Sequence, residues 1–189
     1  MIGLFALAAA TASDPLAAQA MQNFGTCIVA MTPKGAREVL AMDYNTPDYH
    51  QRLRRLLDGH NRCAVGSSIG SQQVMFAGSI AEALFKADVK PSQYAQRLAM
   101  QPGQGTIAAR SPTEAMALCT VVAAPQLSTA LLATQAGSEQ EKAAVEPLIP
   151  YMTNCSPETL KLTANRSSLR ALIALAAWRV ASTPRTPAP

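Results

Sequence analysis

Four cysteines and two histidines are the residues of this 189-residue chain with the widest range of possible chemistry. His60 and Cys63 are three positions apart, and with His50 they could supply part of a zinc site. A structural zinc ion needs four ligands, however, and the remaining cysteines lie far along the chain. His60 is also the one candidate base for a nucleophilic thiol at Cys63. A thiol- or metal-dependent protein that uses His60 and Cys63 is therefore our second alternative.

Other catalytic signatures are missing from the sequence. It has no Cys-x-x-Cys motif, so a thioredoxin-like dithiol is not indicated. It has no Gly-x-Ser-x-Gly motif, which marks one class of serine hydrolases. Its 12 acidic residues include no pair whose spacing suggests an acid–base dyad. We expect a protein that is not an enzyme, with no catalytic residue, cofactor or metal ion.

The cysteines recur in one register. Residues 27–33 read CIVAMTP and residues 119–125 read CTVVAAP, which are 92 positions apart. Cys63 and Cys155 have the same offset. So do the following pairs: Pro33 and Pro125, Leu40 and Leu132, Thr46 and Ser138, Leu53 and Val145, Leu56 and Leu148, and His60 and Met152.

After the second cysteine the offset becomes 93, where Ile80-Ala81 matches Ile173-Ala174 and Phe85-Lys86 matches Trp178-Arg179. A period of this length exceeds that of solenoid repeats. It indicates that a small domain has been duplicated.

The spacing of apolar residues predicts helices throughout. Phe24, Cys27, Ile28 and Met31 recur at the spacing of one helix face. Ser111-Pro112-Thr113-Glu114 is typical of a helix start, because serine can cap the helix, proline fits its first turn and glutamate can reach back. Residues 138–141 carry a similar capping box. The fold class that we predict is all-α, with two tandem copies of a disulfide-stapled unit of about four helices.

The organisation predicted from these patterns has five parts. Residues 1–20 are a probable signal peptide, 21–88 the first helical repeat and 89–110 a linker. Residues 111–181 are the second helical repeat, and 182–189 are a proline-rich tail expected to be disordered. The last helix, which contains Trp178, is predicted to be the most buried one.

The first twenty residues resemble an export signal. Residues 2–12 form an apolar run that is too short to span a bilayer, and Ala18-Gln19-Ala20 fits the small-x-small cleavage pattern. The basic residue that usually begins such a signal is missing, since the first one is Lys34. We expect a periplasmic or secreted protein, cleaved after Ala20, with no transmembrane helix in the mature chain.

Four cysteines in an exported chain indicate disulfides. They allow three connectivities, and complete duplicated units select Cys27–Cys63 and Cys119–Cys155. Each bridge would close a loop of about 37 residues and stabilise the fold by roughly 3–4 kcal/mol through the entropy of the unfolded chain. That contribution is large for a unit of about 65–70 residues.

The formal net charge is +4, and several arginines cluster on and just after the predicted third helix of the first repeat. The possible basic contact face is formed by Arg52, Arg54, Arg55 and Arg62. It lacks the aromatic residues and reading element expected for nucleic-acid binding, so a solvated face or a contact with an envelope protein or acidic surface is favoured.

Three functions follow from these observations. The first is an exported, non-catalytic binding or structural protein of the cell envelope. The second is a carrier of a small apolar ligand or lipid, with a cavity between helices lined by Met, Leu and Ala. The third is the thiol- or metal-dependent protein based on His60 and Cys63.

Overall fold

A computed structural model describes residues 14–63, 73–99, 107–158, 160 and 164–184. Over these residues the chain forms ten α-helices and three short 3₁₀ helices and contains no strand, which confirms the all-α prediction. The α-helices are α1 (Pro15–Met31), α2 (Pro33–Ala41), α3 (Pro47–Asp58), α4 (Gln73–Asp88), α5 (Tyr94–Leu98), α6 (Pro112–Ala123), α7 (Pro125–Ala133), α8 (Glu139–Val145), α9 (Ile149–Cys155) and α10 (Arg166–Ser182).

The helix starts follow from the predicted caps. The backbone N–H of Glu114 donates to the Ser111 hydroxyl at 3.2 Å, and that of Glu141 donates to the Ser138 hydroxyl at 3.1 Å. Each glutamate reaches back to a backbone N–H just before its helix, at Arg110 and Gly137. Both capping boxes satisfy amide groups that a helix end would otherwise leave unpaired.

One predicted helix is interrupted. The residues after Ser138 form α8, a 3₁₀ helix at Glu146–Leu148 and then α9, whereas α3 is continuous. Pro147 and Pro150 explain the difference, because proline donates no backbone hydrogen bond and its ring crowds the preceding turn. The apolar residues of the interrupted segment are nevertheless buried, with Leu148 1% exposed and Met152 7% exposed.

Two disulfides staple the chain, Cys27–Cys63 and Cys119–Cys155, and they are the pairs predicted from the sequence. Each joins cysteines 36 positions apart, and the two Cα–Cα distances are both 5.6 Å. The first bridge connects α1 to the 3₁₀ helix at Asn61–Cys63, and the second connects α6 to the end of α9. Such bonds are consistent with an oxidising, extracytoplasmic location.

Helices α4 and α10 form the largest helix contact, with α1 packed on α4 and α6 packed on α10. The approach of α4 and α10 is close, since a Cβ atom on Gly78 would collide with Ala171. A Cβ atom on Gly25 would likewise collide with the α4 backbone at Ser79. The absence of a side chain at these two glycines lets the central helices pack backbone to backbone.

A cluster of buried charges crosses the same contact. Arg170 donates to both carboxylate oxygens of Glu82, at 2.7 and 2.8 Å, and to Glu141 at 3.1 Å. Arg170 is 5% exposed, Glu82 3% and Glu141 1%. Burial opposes the ionisation of Glu82, but its bonds to Arg170 and Lys86 hold its pKa below the usual value. Glu82 is therefore ionised in its pair with Arg170, and the contacts of Arg170 with Glu82 and Glu141 tie α4, α8 and α10 together.

Part of the predicted linker is packed into the body of the protein. In α5, Leu98 is fully buried, and the helix contacts α7 and α10. Residues 100–106 of that linker, most of the predicted tail at 185–189 and residues 1–13 of the predicted signal lie outside the described residues.

The predicted cleavage site lies within α1. This helix begins at Pro15, after the Asp14 side chain accepts a hydrogen bond from the Leu16 N–H. Ala18 and Met21, on either side of that site, are each 6% exposed. The structure thus includes residues 15–20 in a helix that is packed on the core.

Among the described residues, no single helix has the length and apolar character needed to cross a membrane. The bent pair α6 and α7 meets the criteria of length and composition when taken together, with an angle of 101° between its helices.

Replacement of Arg170 by methionine should be strongly destabilising. It would leave Glu82 and Glu141 buried without their shared cation, which typically costs about 3–5 kcal/mol of unfolding free energy. Urea denaturation of Arg170→Met measures this loss.

The matched control is Arg37→Met, which removes a cation from the exposed ion pair with Asp88. Exposed pairs contribute at most about 1 kcal/mol, so this variant should unfold close to the wild type. Equal unfolding free energies for the two variants would contradict the structural role of the buried cluster.

Candidate ligand-binding cavity

A cavity of about 290 Å³ lies between the first and second halves of the chain. The first half contributes α2, α3, α4 and the segment joining α2 to α3. The second half contributes α6, α10 and the residues just before α6. The α4–α10 contact thus positions the walls of the cavity.

Most of the lining is apolar. Its apolar members are Leu40, Met42, Val74, Ala77, Ala117, Leu172, Leu175, Ala176 and Trp178. Ala77, Ala117 and Ala176 are buried, and their short side chains leave space that a larger residue would fill. The lining can bind an apolar body through the hydrophobic effect and dispersion.

A polar network lies along one side, centred on Glu114. This carboxylate accepts a hydrogen bond from the Arg110 backbone N–H at 2.6 Å and forms an ion pair with Arg179. The Tyr44 hydroxyl lies 2.7 Å from the Ser111 hydroxyl and 3.3 Å from a Glu114 oxygen. Glu114 is therefore neutralised and hydrogen-bonded by its neighbours.

Arg110 is the cation at this cavity that has no carboxylate partner among the described residues. Its guanidinium donates to the Ala41 carbonyl at 3.2 Å and lies 5.8 Å from the centre of the Tyr44 ring. A guanidinium has five N–H donors, so most of its hydrogen-bonding capacity is left for another acceptor. With Arg179 paired to Glu114, the charged side chains that line the cavity sum to one positive charge.

Tyr49 places a phenol in the wall. It is 5% exposed, and its hydroxyl forms no hydrogen bond to a described residue. Burial raises the pKa of Tyr49 to about 12, although the nearby charge of Arg110 opposes part of this rise. The phenol is therefore neutral at ordinary pH and retains both a donor and an acceptor.

Trp178 lines the cavity and is the only tryptophan in the sequence. It is 6% exposed, and its indole N–H is buried without an acceptor among the described residues. An unpaired buried donor typically costs about 1–3 kcal/mol. Because it is unique, its fluorescence can report events at this cavity.

A second, much smaller cavity of about 30 Å³ occupies corresponding positions. Most of its lining residues are related to those of the larger cavity by the offsets of 92 and 93. Arg170 corresponds to Ala77, Glu141 to Tyr49 and Glu82 to Leu175. The buried ion cluster thus lines the smaller cavity, whereas Ala77, Tyr49 and Leu175 line the larger one.

The sequence-predicted thiol site is not formed. Cys63 is bonded to Cys27, so its sulfur is neither a nucleophilic thiolate nor a metal ligand. The His60 Nδ1 atom lies 2.8 Å from the Leu56 carbonyl oxygen, which is a local contact within its own turn. The described residues contain no group of three or more His, Cys, Asp or Glu side chains placed to hold a metal ion.

The possible basic contact face is exposed. Arg52, Arg54, Arg55 and Arg62 are all on the surface, and none forms an ion pair with a described residue. None of the four lines the cavity. Contact between these arginines and an acidic partner stays a prediction.

His50 is brought to the cavity, where its ring packs against Tyr49 with the two ring centres 5.5 Å apart. The cavity residues that the sequence analysis does not single out are Tyr44, Tyr49 and Arg110, and no local motif marks them. Glu114 is predicted from the sequence only as part of a helix-capping motif, and its place in the cavity wall is an additional finding.

No protein-family model, curated protein or solved structure matches this chain. These comparisons therefore indicate no function for the cavity.

The Tyr49 phenol should ionise at a higher pH than an ordinary tyrosine. Its pKa of about 12 compares with a usual value of 10.0, so the neutral form is favoured in the folded state. The stability that it contributes is fully present below pH 10 and is lost as the pH rises towards 12. A spectroscopic titration of phenolate absorbance should show a late step that is missing from Tyr49→Phe.

Retention of the late step in Tyr49→Phe would show that it belongs to another tyrosine and would contradict the burial of this phenol. The step must be read while far-UV circular dichroism shows that the helices are intact.

Proposed function

We propose that this chain is an exported, non-catalytic protein that binds a small apolar ligand between its two halves. The observation that carries the proposal is an apolar cavity of about 290 Å³ whose wall includes the unpaired Tyr49 hydroxyl. The cavity is partly open to solvent, and its largely apolar wall carries a few polar groups, which is the usual composition of a small-molecule site. An open space beside an unpaired hydroxyl is what a ligand site requires.

The volume limits the size of the ligand. Ligand pockets usually span about 300–1,000 Å³, so this cavity is at the lower end of the range. At roughly 30 Å³ per non-hydrogen atom, the value for liquid water, it holds about ten such atoms. A medium-length alkyl chain or a single ring with a short side chain fits this size, whereas a whole phospholipid does not.

The polar groups support binding rather than catalysis. A general base must be free to accept a proton from the substrate. Glu114 instead accepts hydrogen bonds from the Arg110 backbone and Arg179, and its oxygens are further shielded by Tyr44. These contacts hold Glu114 in place as part of the cavity wall and do not leave it free to accept a proton.

The proposed internal duplication explains how one cavity came to be open. Gly78 and Ala171 are counterparts at the offset of 93, and they lie against each other between α4 and α10. Residues near a two-fold axis contact their own counterparts in this way. Two equivalent spaces would then lie on either side of the axis, one filled by an ion cluster and the other lined by apolar residues.

Export is supported by the two disulfides together with the apolar N-terminal run. The expected cleavage after Ala20 would shorten α1 and remove the buried Ala18. Ala10-Thr11-Ala12 also fits the small-x-small pattern, and cleavage after Ala12 would leave the Asp14 cap and all of α1 in the mature protein. We therefore propose the earlier site.

Intact-mass and peptide analysis of the exported, non-reduced protein tests this proposal. The expected mature chain begins at Ser13 and carries both disulfides. A chain that begins at Met21 would support export with the site first read from the sequence. An uncleaved chain with four free thiols would contradict export.

Ligand binding can be followed through Trp178. Titration with 1-octanol should give a saturable change in tryptophan fluorescence. Ala117→Leu should weaken this binding by about tenfold or more, because its three added carbon atoms would occupy part of the cavity. A loss of about 1.4 kcal/mol in binding free energy corresponds to a tenfold weaker affinity. Far-UV circular dichroism checks that the variant folds.

The matched control is Ala123→Leu, which adds the same atoms at an exposed position of the same helix, α6. It should bind 1-octanol as the wild type does. A fluorescence change that never saturates, or equal affinities for wild type and Ala117→Leu, would contradict the proposed cavity function.

A further inference from the structure

We infer that the ligand is a small carboxylic acid whose carboxylate lies at Arg110 and whose apolar body lies against Leu172 and Leu175. This inference rests on the proposed function, since it specifies the chemical class that the same cavity would take. A ligand of this class needs a positively charged group at one end of the cavity and apolar side chains along the rest.

The charge balance at the cavity supports an anion. Glu114 is paired with Arg179, so the charges of these two lining residues offset each other. Arg110 keeps its positive charge with only the Ala41 carbonyl and the Tyr44 ring as neighbours. A partly buried cation is stabilised by an opposite charge, and no described side chain supplies one.

Donor geometry also favours a carboxylate over a single hydroxyl. A guanidinium presents parallel N–H groups that match two carboxylate oxygens, and such charge-assisted bonds are stronger than neutral ones. Tyr49 lines the same cavity as Arg110, and its hydroxyl has no hydrogen-bond partner among the described residues, so it provides a further donor.

The smaller cavity contains, between side chains of the protein, the kind of guanidinium–carboxylate pair that we infer for the ligand. There the carboxylates of Glu82 and Glu141 meet the buried guanidinium of Arg170. In the larger cavity the positions at the same offsets carry Leu175 and Tyr49, and the lining carboxylate of Glu114 is already paired with Arg179. A ligand carboxylate at Arg110 would provide the missing partner.

The size of the space is consistent with this class. Octanoate contains ten non-hydrogen atoms, close to the number that the cavity volume allows. Its chain would contact the leucines and the Trp178 ring, so binding should again change the fluorescence of the single tryptophan.

The test compares octanoate with 1-octanol, which has the same number of carbon atoms but carries no charge. Wild-type protein should bind octanoate about tenfold or more tightly than 1-octanol. Arg110→Gln should remove this preference, weakening octanoate by about tenfold or more while leaving 1-octanol within about twofold. Arg110→Lys, which keeps the charge without the parallel donors, should give an intermediate affinity for octanoate.

Arg54→Gln is the control for charge, because it removes an exposed arginine that does not line the cavity. It should leave the preference for octanoate unchanged. Retained 1-octanol binding also shows that Arg110→Gln is folded.

The outcomes separate the two proposals. Equal wild-type affinities for octanoate and 1-octanol, or an equal loss of both in Arg110→Gln, would overturn the carboxylate inference while the proposed cavity function stands. The same is true if Arg54→Gln weakens octanoate as much as Arg110→Gln does. Absence of binding by either compound would overturn both proposals.

Discussion

The close contact between α4 and α10 is the constraint on which the rest of the structure depends. Gly78 leaves room for Ala171, and this brings the two helices near enough for Arg170 to reach Glu82. Each of these helices also supports its own half, since α1 packs on α4 and α6 packs on α10. The disulfides fasten the outer helices of each half, but the α4–α10 contact determines how the halves meet.

Two cavities of different content adjoin that contact, one of about 30 Å³ and the other of about 290 Å³. Filling one of them with buried charges is expensive in desolvation and is balanced only because each carboxylate meets the guanidinium and further donors. The ion pairs in return fix the positions of α4, α8 and α10 relative to one another. The other cavity is partly open to solvent and largely apolar, so an apolar molecule placed there would remove apolar surface from water. One cavity is therefore lined by buried ion pairs, and the other has the lining on which the proposed binding function rests.

The helical architecture was largely predictable because it follows from local rules. The capping serines, the prolines that begin helices and the apolar spacing indicated the elements, and the cysteine register indicated the two bridges. The break between α8 and α9 could have been foreseen from Pro147 and Pro150, because proline removes a backbone donor within a helix.

A cavity between helices lined by Met, Leu and Ala was one of the expectations from the sequence, but its position and polar groups were not predictable, because they depend on which residues meet across the α4–α10 contact. The burial of Arg170 follows only from the positions of Glu82 and Glu141. Arg110 lies in the predicted linker. The one usable signal was divergence within the predicted repeat: Tyr49 stands where the second half has Glu141, and Ala77 where it has Arg170. Such replacements mark where the two halves of the predicted repeat differ in chemistry, but not whether the result is an open space.

The most direct test of the account is a measurement of contacts between a bound apolar probe and the cavity wall. With methyl-labelled protein and 1-octanol, nuclear Overhauser effects should connect the alkyl chain to the methyl groups of Leu40, Leu172 and Leu175, which come from both halves. Their observation would place the probe between the halves. Contacts confined to surface methyl groups such as Leu16, which is 75% exposed, would show that the cavity is not the binding site.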